Sequence, residues 1–336
     1  MKNNGGEEMY THQKERNIEA KCYDFEHVEQ VLKEIQNNFS KYFDEFIKSE
    51  AGNAVTTDDV KKIAGKLGVK NAKISDKVNH KEKSINIINE SIDSFERDRE
   101  KYVAIFDEES LEEYEDDPQY FKSVVLKNEC PIIHATIHNK RAKELDKYRY
   151  EFNISDPNEL LRVVSNLNNF AQEYYHEIYD QDSYDQINNY KELGYGILDT
   201  DEYTVYGVIG GGIKTHMLYK VYPAVFPNRS RDAIWALWYL TDKNTFGCKQ
   251  DSEFLMIDIN KFITQQNYFY PYELFAYYAH QIFQILREKA DSNDVYLDSE
   301  YRYVFVDSFL GYVAQKHDDE ISFLKQQIQD GGFGYA

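Results

Sequence analysis

The fold of this chain depends most on residues 207–240, GVIGGGIKTHMLYKVYPAVFPNRSRDAIWALWYL. The stretch holds three consecutive glycines, a Lys-Thr pair, two prolines and both tryptophans of the chain. The glycines predict a tight turn at the start of a helix, because glycine reaches backbone conformations that other residues avoid. Trp235, Trp238, Ile234 and Leu237 cover most of the circumference of the second helix in the stretch, which predicts that this helix is buried.

Length, polarity and cysteine content limit the class of protein to which this chain can belong. With 336 residues, 42% of them hydrophobic, the chain is long enough to bury a large core and to form two domains. No apolar run approaches the roughly 20 residues that a membrane-spanning helix needs, so no membrane contact is expected. The N-terminal residues lack the apolar segment of a secretory signal, and the three cysteines lie far apart. These features predict a cytoplasmic protein without a disulfide framework.

Two apolar patterns at helical spacing predict an N-terminal helical hairpin. Steps of three and four residues connect Val28, Leu32, Ile35, Phe39, Phe43 and Phe46, and a second pattern connects Ile85, Ile88, Ile92, Phe95, Tyr102 and Ile105. A short helix is predicted between them, over residues 57–67. The two long helices are expected to bury one seam, which Arg99 interrupts.

The whole pattern predicts a mostly α protein of the α+β class, with a helical hairpin followed by a compact, aromatic-rich helical domain and a few short strands. We expect a flexible tail over residues 1–20, a helical-hairpin domain over 21–150 and a mostly α domain with the glycine hairpin over 151–336. The acidic residues 107–118 are predicted to form a linker or exposed helix ends. Helices are predicted to begin after Asp156 and after Pro271, and strands are predicted at Phe121–Leu126, residues 254–258 and Tyr301–Val306.

Charge is distributed unevenly. The chain carries 39 Lys and Arg against 59 Asp and Glu, a net charge of −20, which argues against a protein with a basic surface that binds nucleic acid throughout. Between Gly212 and Lys249, however, six Lys and Arg stand against two Asp, a local net charge of +4. This basic island is typical of a surface that contacts phosphate, and equally of one that docks on an acidic partner or on acidic segments of the chain itself.

The glycine stretch is close to a phosphate-binding loop. Gly207 and Gly212, followed by Lys214 and Thr215, approach the pattern G-x-x-x-x-G-K-[ST] after a strand-like YTVYGVI. Ile213 is inserted between glycine and lysine, which rotates the lysine by about 100° around the helix. This insertion argues against nucleotide hydrolysis.

Residues 208–215, VIGGGIKT, resemble the hairpin of helix-hairpin-helix DNA glycosylases, whose usual form is apolar-Pro-Gly-apolar-Gly-x-Lys-Thr. Gly210, Gly212 and the Lys-Thr pair match, whereas Ile209 replaces the usual proline. The resemblance implies that hairpin N–H groups contact nucleic-acid phosphate. Together with the basic island, the resemblance predicts the following contact residues: Gly210, Gly212, Lys214, Thr215, Lys220, Arg229 and Arg231.

The same resemblance implies a pair of catalytic residues. In bifunctional glycosylases the hairpin lysine attacks the sugar, and a catalytic aspartate follows about 18 residues later. Here Lys214 would be the Schiff-base nucleophile, and Asp232 would activate it or stabilise positive charge on the sugar. Asp232 also has a structural explanation, because it falls in the first turn of a helix capped by Ser230, where an acid complements the helix dipole.

Cys130, His134 and His138, which are spaced by four residues, form a candidate metal site. Adjacent helical turns supply two metal ligands easily and three only awkwardly, and Pro131 disfavours a regular helix. The sequence therefore predicts no metal site, and it implies no cofactor.

Two functions follow from these patterns. The first is a nucleic-acid-associated protein that contacts DNA or RNA phosphate through the glycine hairpin, with glycosylase- or lyase-like activity as a further possibility. The second is a non-enzymatic interaction protein whose helical hairpin and acidic surface bind another protein.

Overall fold

A computed structural model of the protein describes residues 20–49, 80–140, 142, 145–244, 246, 257–258, 263–264 and 271–330. The α-helices in these ranges are α1 (Phe25–Ser49), α2 (His80–Glu96), α3 (Arg99–Ile105), α4 (Glu108–Glu113), α5 (Pro118–Tyr120), α6 (Pro131–His138), α7 (Asp146–Ile154), α8 (Pro157–Glu173), α9 (Gln181–Asp185), α10 (Gly211–Val221), α11 (Arg231–Leu240), α12 (Tyr272–Asp291), α13 (Arg302–Lys316) and α14 (Asp318–Asp330). Two π-helical segments are Phe121–Glu129 and Tyr174–Ile178, and short 3₁₀ helices are Ala20–Tyr23, Tyr190–Leu193, Tyr195–Asp199, Asp201–Tyr203 and Ser299–Tyr301. Strands β1 (Ile257–Asp258) and β2 (Ile263–Thr264) pair antiparallel.

The mostly helical class is confirmed, but two of the predicted strands are wrong. Phe121–Leu126 belongs to a π-helical segment, and Tyr301–Val306 runs from a 3₁₀ turn into α13. The second error has a clear cause, because consecutive residues from Tyr303 to Val306 are all buried. A helix that is buried all round loses the apolar and polar faces by which sequence patterns identify helices. Of the third predicted strand, only Ile257–Asp258 lies within the described residues, as β1.

Helix α13 lies at the centre of the packing and contacts α1, α2, α11 and α12. Its Tyr303, Phe309 and Val313 are fully buried. Burying one large apolar side chain contributes about 1.5–3 kcal/mol, so a helix with several such residues anchors the helices around it. Trp235 of α11 is also fully buried, which confirms the predicted burial of that helix.

The two long N-terminal helices contact one another, as the hairpin prediction requires, and α1 also packs against α11, α12 and α13. A single cluster of buried apolar residues includes members from both sides of the predicted boundary near residue 150. The domain division therefore stays a prediction, and the short helix predicted over 57–67 lies outside the described residues.

Arg99, which interrupts the predicted seam, caps the end of α10. Its Nε donates to the carbonyl oxygen of Lys220 at 3.2 Å, and Nη2 donates to that of Val221 at 3.2 Å. The last carbonyls of a helix lack partners within the helix and favour a positive charge, so this contact fixes the C-terminal end of α10.

Part of the predicted acidic linker is an ordered helix. Asp107 caps α4 by accepting hydrogen bonds from the backbone N–H of Ser110 at 2.9 Å and from its hydroxyl at 2.8 Å. These bonds hold the pKa of Asp107 below its usual value, because they favour the ionised form. Within the described ranges, no helix is both long enough and apolar enough to cross a membrane.

Candidate functional site

The connection between α10 and α11 is buried although it is not helical. Buried backbone carbonyls need hydrogen-bond donors, and side chains from three other helical elements supply them. Tyr195 donates to the carbonyl oxygen of Val225 at 2.6 Å, and Tyr272 donates to that of Pro227 at 2.9 Å. Arg302 donates to the carbonyl oxygen of Ala224. These bonds hold the connection in one conformation and so position the residues that follow Pro227.

Helix α10 begins without a capping side chain. Gly210 is its N-cap in an extended conformation, with φ −95° and ψ −175°, and the first helical bond runs from the N–H of Lys214 to the carbonyl of Gly210 at 3.0 Å. The N–H groups of Gly211, Gly212 and Ile213 therefore have no acceptor within the helix. A Cβ atom at position 211 would overlap the guanidinium of Arg229, so this close approach requires glycine.

A cleft of about 370 Å³ lies at this end of α10. Its polar lining includes the glycines, His216 and residues 228–231. Its apolar lining includes Ile132, Tyr148 and Ile234. Positive potential at a helix N-terminus and unpaired N–H groups favour an anion, and the apolar lining residues favour an uncharged group attached to it.

The predicted contact residues divide into two groups. Gly210, Gly212, Arg229 and Arg231 all lie at the cleft, where Gly212 and Arg231 are exposed and Arg229 is buried. Lys214, Thr215 and Lys220 are buried in the protein and bonded there.

Lys214, the predicted nucleophile, extends into the interior. Its Nζ donates to the hydroxyl of Thr204 at 2.8 Å and to the carbonyl oxygen of Leu198. Burial lowers the pKa of Lys214 to about 8, although the charge of Asp199 opposes this shift.

The other two buried residues are also bonded within the fold. Lys220 donates to the carbonyl oxygen of Phe95 at 2.7 Å and to the carboxylate of Asp98 at 2.6 Å. Thr215 donates its hydroxyl to the carbonyl oxygen of Gly211 at 2.7 Å. Each of the three therefore satisfies buried polar groups of the protein itself.

Asp232 is exposed in the first turn of α11. Ser230 caps this helix by accepting from the N–H of Ala233 at 3.1 Å, as the structural explanation of Asp232 predicts. Among the described residues, no hydrogen bond or ion pair joins Asp232 to Lys214. The structure therefore does not bring the predicted catalytic pair into contact.

No protein-family model, curated protein or solved structure matches this chain. The resemblance to the glycosylase hairpin therefore stays a prediction. In the structure, the residues before Gly210 form the 3₁₀ helix Asp201–Tyr203 and then a β-bridge between Val205 and Ile209.

Sequence reasoning missed three polar residues beside the cleft. Asn228, which lines the cleft, donates to Asp307 Oδ1 at 2.9 Å. Burial raises the pKa of Asp307 to about 6. His216, which also lines the cleft, has its pKa lowered to about 4 by burial and by the positive charge of Lys220. One sequence signal was present, because Asp307 is the single charged residue in the mostly apolar run YVFVDSFL.

The raised pKa of Asp307 predicts a pH dependence of stability. Its pKa of about 6 in the folded state exceeds the ordinary value of 3.8, so the folded protein holds an extra proton between these pH values. Stability should then fall as pH rises from about 4 to 6, by up to about 1.4 kcal/mol for each pKa unit of difference. Asp307→Asn should remove this component of the pH dependence. Urea unfolding at about pH 4 and about pH 7, on either side of this window, measures it, and an identical pH dependence in both proteins would contradict the assignment.

The structure separates the three residues of the candidate metal motif. Cys130 is fully buried as the N-cap of α6, whereas His134 and His138 are exposed. Within the part of the chain that the structure describes, no group of three or more His, Cys, Asp or Glu side chains could hold a metal ion.

Proposed function

We propose that this protein is a cytoplasmic nucleic-acid-associated protein that binds a phosphate group in the cleft at the glycine end of α10. The observation that carries the proposal is an uncapped helix of 11 residues whose free N–H groups lie at a cleft of about 370 Å³. Backbone N–H groups at a helix N-terminus bind phosphate through hydrogen bonds and through the helix dipole. Exposed Arg231 lies at the same cleft and adds a positive charge.

The size of the cleft and the charge of the protein favour a short ligand. Binding pockets for small molecules measure about 300–1,000 Å³, so the cleft can hold one nucleotide but not a duplex. The lining residues Ile132, Tyr148 and Ile234 suit contact with a base or a sugar. Lys214 and Lys220 are buried and bonded, so they do not extend a basic track along a longer strand. The net charge of −20 also opposes a long polyanion.

Binding of a short 5′-phosphorylated single strand tests this function. We expect fluorescence anisotropy to detect binding of a labelled DNA or RNA oligonucleotide at low salt, and Arg231→Ala to weaken it. One or two phosphate contacts imply a shallow salt dependence, with a slope of about −0.7 for each contact on a single strand. Absence of binding to either nucleic acid at low salt would overturn the proposal.

Lys214→Met separates phosphate binding from lyase chemistry. Because Lys214 bonds to Leu198 and Thr204 inside the protein, we expect the variant to lose about 1–3 kcal/mol of stability through unsatisfied buried groups. Oligonucleotide affinity of the folded variant should be unchanged. Borohydride treatment with an abasic-site substrate tests the lyase alternative, and a covalent adduct that Lys214→Met abolishes would support that alternative over simple binding.

The competing proposal is a protein-interaction role for the helical hairpin. Large apolar side chains are exposed on both of its helices, at Phe25 (64% exposed) and Ile85 (40% exposed). Two results together would favour this role. A protein partner should bind the wild-type chain but not the variants Phe25→Ser and Ile85→Ser, and oligonucleotides should not bind the wild-type chain.

A further inference from the structure

The outer face of α6 carries two histidines one helical turn apart. His134 and His138 are both exposed, and their rings stack with centroids 4.1 Å apart and planes inclined by 26°. Helix α6 contributes Ile132 and Thr136 to the wall of the cleft. Positions two residues apart are separated by about 200° around a helix. His134 and His138 therefore lie on the side of α6 opposite to Ile132 and Thr136, and so opposite to the cleft. The pair is therefore separate from the proposed phosphate site.

A hydrogen bond sets the orientation of one ring. His138 Nδ1 lies 2.9 Å from the backbone carbonyl oxygen of His134. A carbonyl oxygen only accepts, so Nδ1 carries the hydrogen and the lone pair of the neutral ring is on Nε2. Metal-binding histidines usually donate their second ring N–H to a carbonyl or carboxylate in this way, which fixes both tautomer and ring orientation.

We propose that His134 and His138 together bind one divalent transition-metal ion on the outer face of α6. Residues four apart share a helical face, and imidazole nitrogen is a ligand for Cu²⁺, Ni²⁺ and Zn²⁺. The protein supplies two ligands, and water completes the coordination. Affinity should be greatest for Cu²⁺, because divalent ions of this series follow a common order in which Cu²⁺ exceeds both Ni²⁺ and Zn²⁺.

Cys130 does not belong to this site, although the sequence spacing includes it. The residue is fully buried, and burial raises the pKa of its thiol to about 12. A thiol binds metal as the thiolate, which is scarce at neutral pH with such a pKa. The chelate therefore has two protein ligands. It joins residues of the last turn of α6 and should stabilise that turn.

Calorimetric titration of the full chain, after treatment with EDTA and buffer exchange, tests the site with CuCl₂ and NiCl₂. We expect a site that binds one ion, tighter for Cu²⁺ than for Ni²⁺. His134→Gln and His138→Gln should each weaken its affinity by at least about tenfold, a loss typical of perturbed metal sites. His176→Gln is the matched control, because His176 is exposed on a helical segment without a second histidine one turn away.

Circular dichroism of the variants establishes that they fold, which is expected because both side chains are exposed. Wild-type affinity in both His134→Gln and His138→Gln would overturn the proposal, as would the absence of any binding by the wild-type chain at millimolar metal. Equal weakening by His176→Gln would also overturn it.

Discussion

Gly210→Asp is expected to abolish phosphate binding while making the protein more stable. Gly210 is the N-cap of α10 with extended backbone, and a Cβ atom there meets nothing within 4 Å. An aspartate at this position accepts from the free N–H groups of the helix and places a negative charge where phosphate would bind. The cap and its interaction with the helix dipole should add about 0.5–1 kcal/mol of stability.

Two variants control for this result. Gly210→Ser introduces a neutral cap, so it competes for the N–H groups without repelling phosphate and should weaken binding less than aspartate does. Gly212→Ala leaves the cap unchanged, and its Cβ lies 3.9 Å from the nearest atom, the carbonyl oxygen of Arg229. This variant should gain about 0.5–1 kcal/mol of stability, which measures the effect of replacing glycine without adding a cap. Urea unfolding and oligonucleotide anisotropy measure both quantities, and full affinity in Gly210→Asp would contradict the proposed site.

Arg302→Met is expected to lower the stability of the protein more than any other proposed substitution. Arg302 is fully buried, and its guanidinium donates to Asp185 Oδ1 at 2.8 Å and to the carbonyl oxygen of Ala224. Removing one partner of a buried ion pair leaves the other poorly compensated and costs about 3–5 kcal/mol. Domains are stable by about 5–15 kcal/mol in total, so this variant should lose a large fraction of its stability. Chemical unfolding measures the loss.

Arg287→Met is the matched control for this prediction. Arg287 pairs with the other oxygen of Asp185 at 2.5 Å, but its side chain is 30% exposed, so its removal should cost only about 1 kcal/mol. A smaller loss in Arg302→Met than in Arg287→Met would contradict the assigned role of Arg302.

The same cluster predicts behaviour in acid. Burial alone would raise the pKa of Asp185, but hydrogen bonds and charge from Arg287 and Arg302 outweigh it and hold the pKa below the usual value. A lowered folded-state pKa stabilises the protein above the unfolded pKa, and that contribution is lost as pH falls through the folded value. The stability difference between wild type and Arg302→Met should therefore narrow in strong acid.

Much of the fold could be predicted from local sequence. The hairpin patterns identify α1 and α2, and the starts of α8 after Asp156 and of α12 after Pro271 are confirmed. Asp156 accepts from the N–H of Asn158 at 2.9 Å, which is the local capping interaction that makes such a start visible in a sequence.

The environment of the site could not be predicted in the same way. A lysine in a sequence is usually exposed, yet Lys220 is buried because Asp98 and the carbonyl of Phe95, over 100 residues away in the chain, accept its hydrogen bonds. The basic island counted in the sequence therefore overstates the charge available at the surface. Asn228 and Asp307 were missed for a similar reason, because only the folding of α13 against the α10–α11 connection brings them together.

Amide chemical shifts of the glycines test the central claim most directly. In a protein labelled with ¹⁵N-glycine, titration with a 5′-phosphorylated dinucleotide should shift the amide signals of Gly211 and Gly212, whose N–H groups are proposed to donate hydrogen bonds to phosphate. Gly194 and Gly311, which do not line the cleft, should remain unchanged. If the amide signals of Gly211 and Gly212 do not shift even at saturating dinucleotide, phosphate binding at this helix is contradicted.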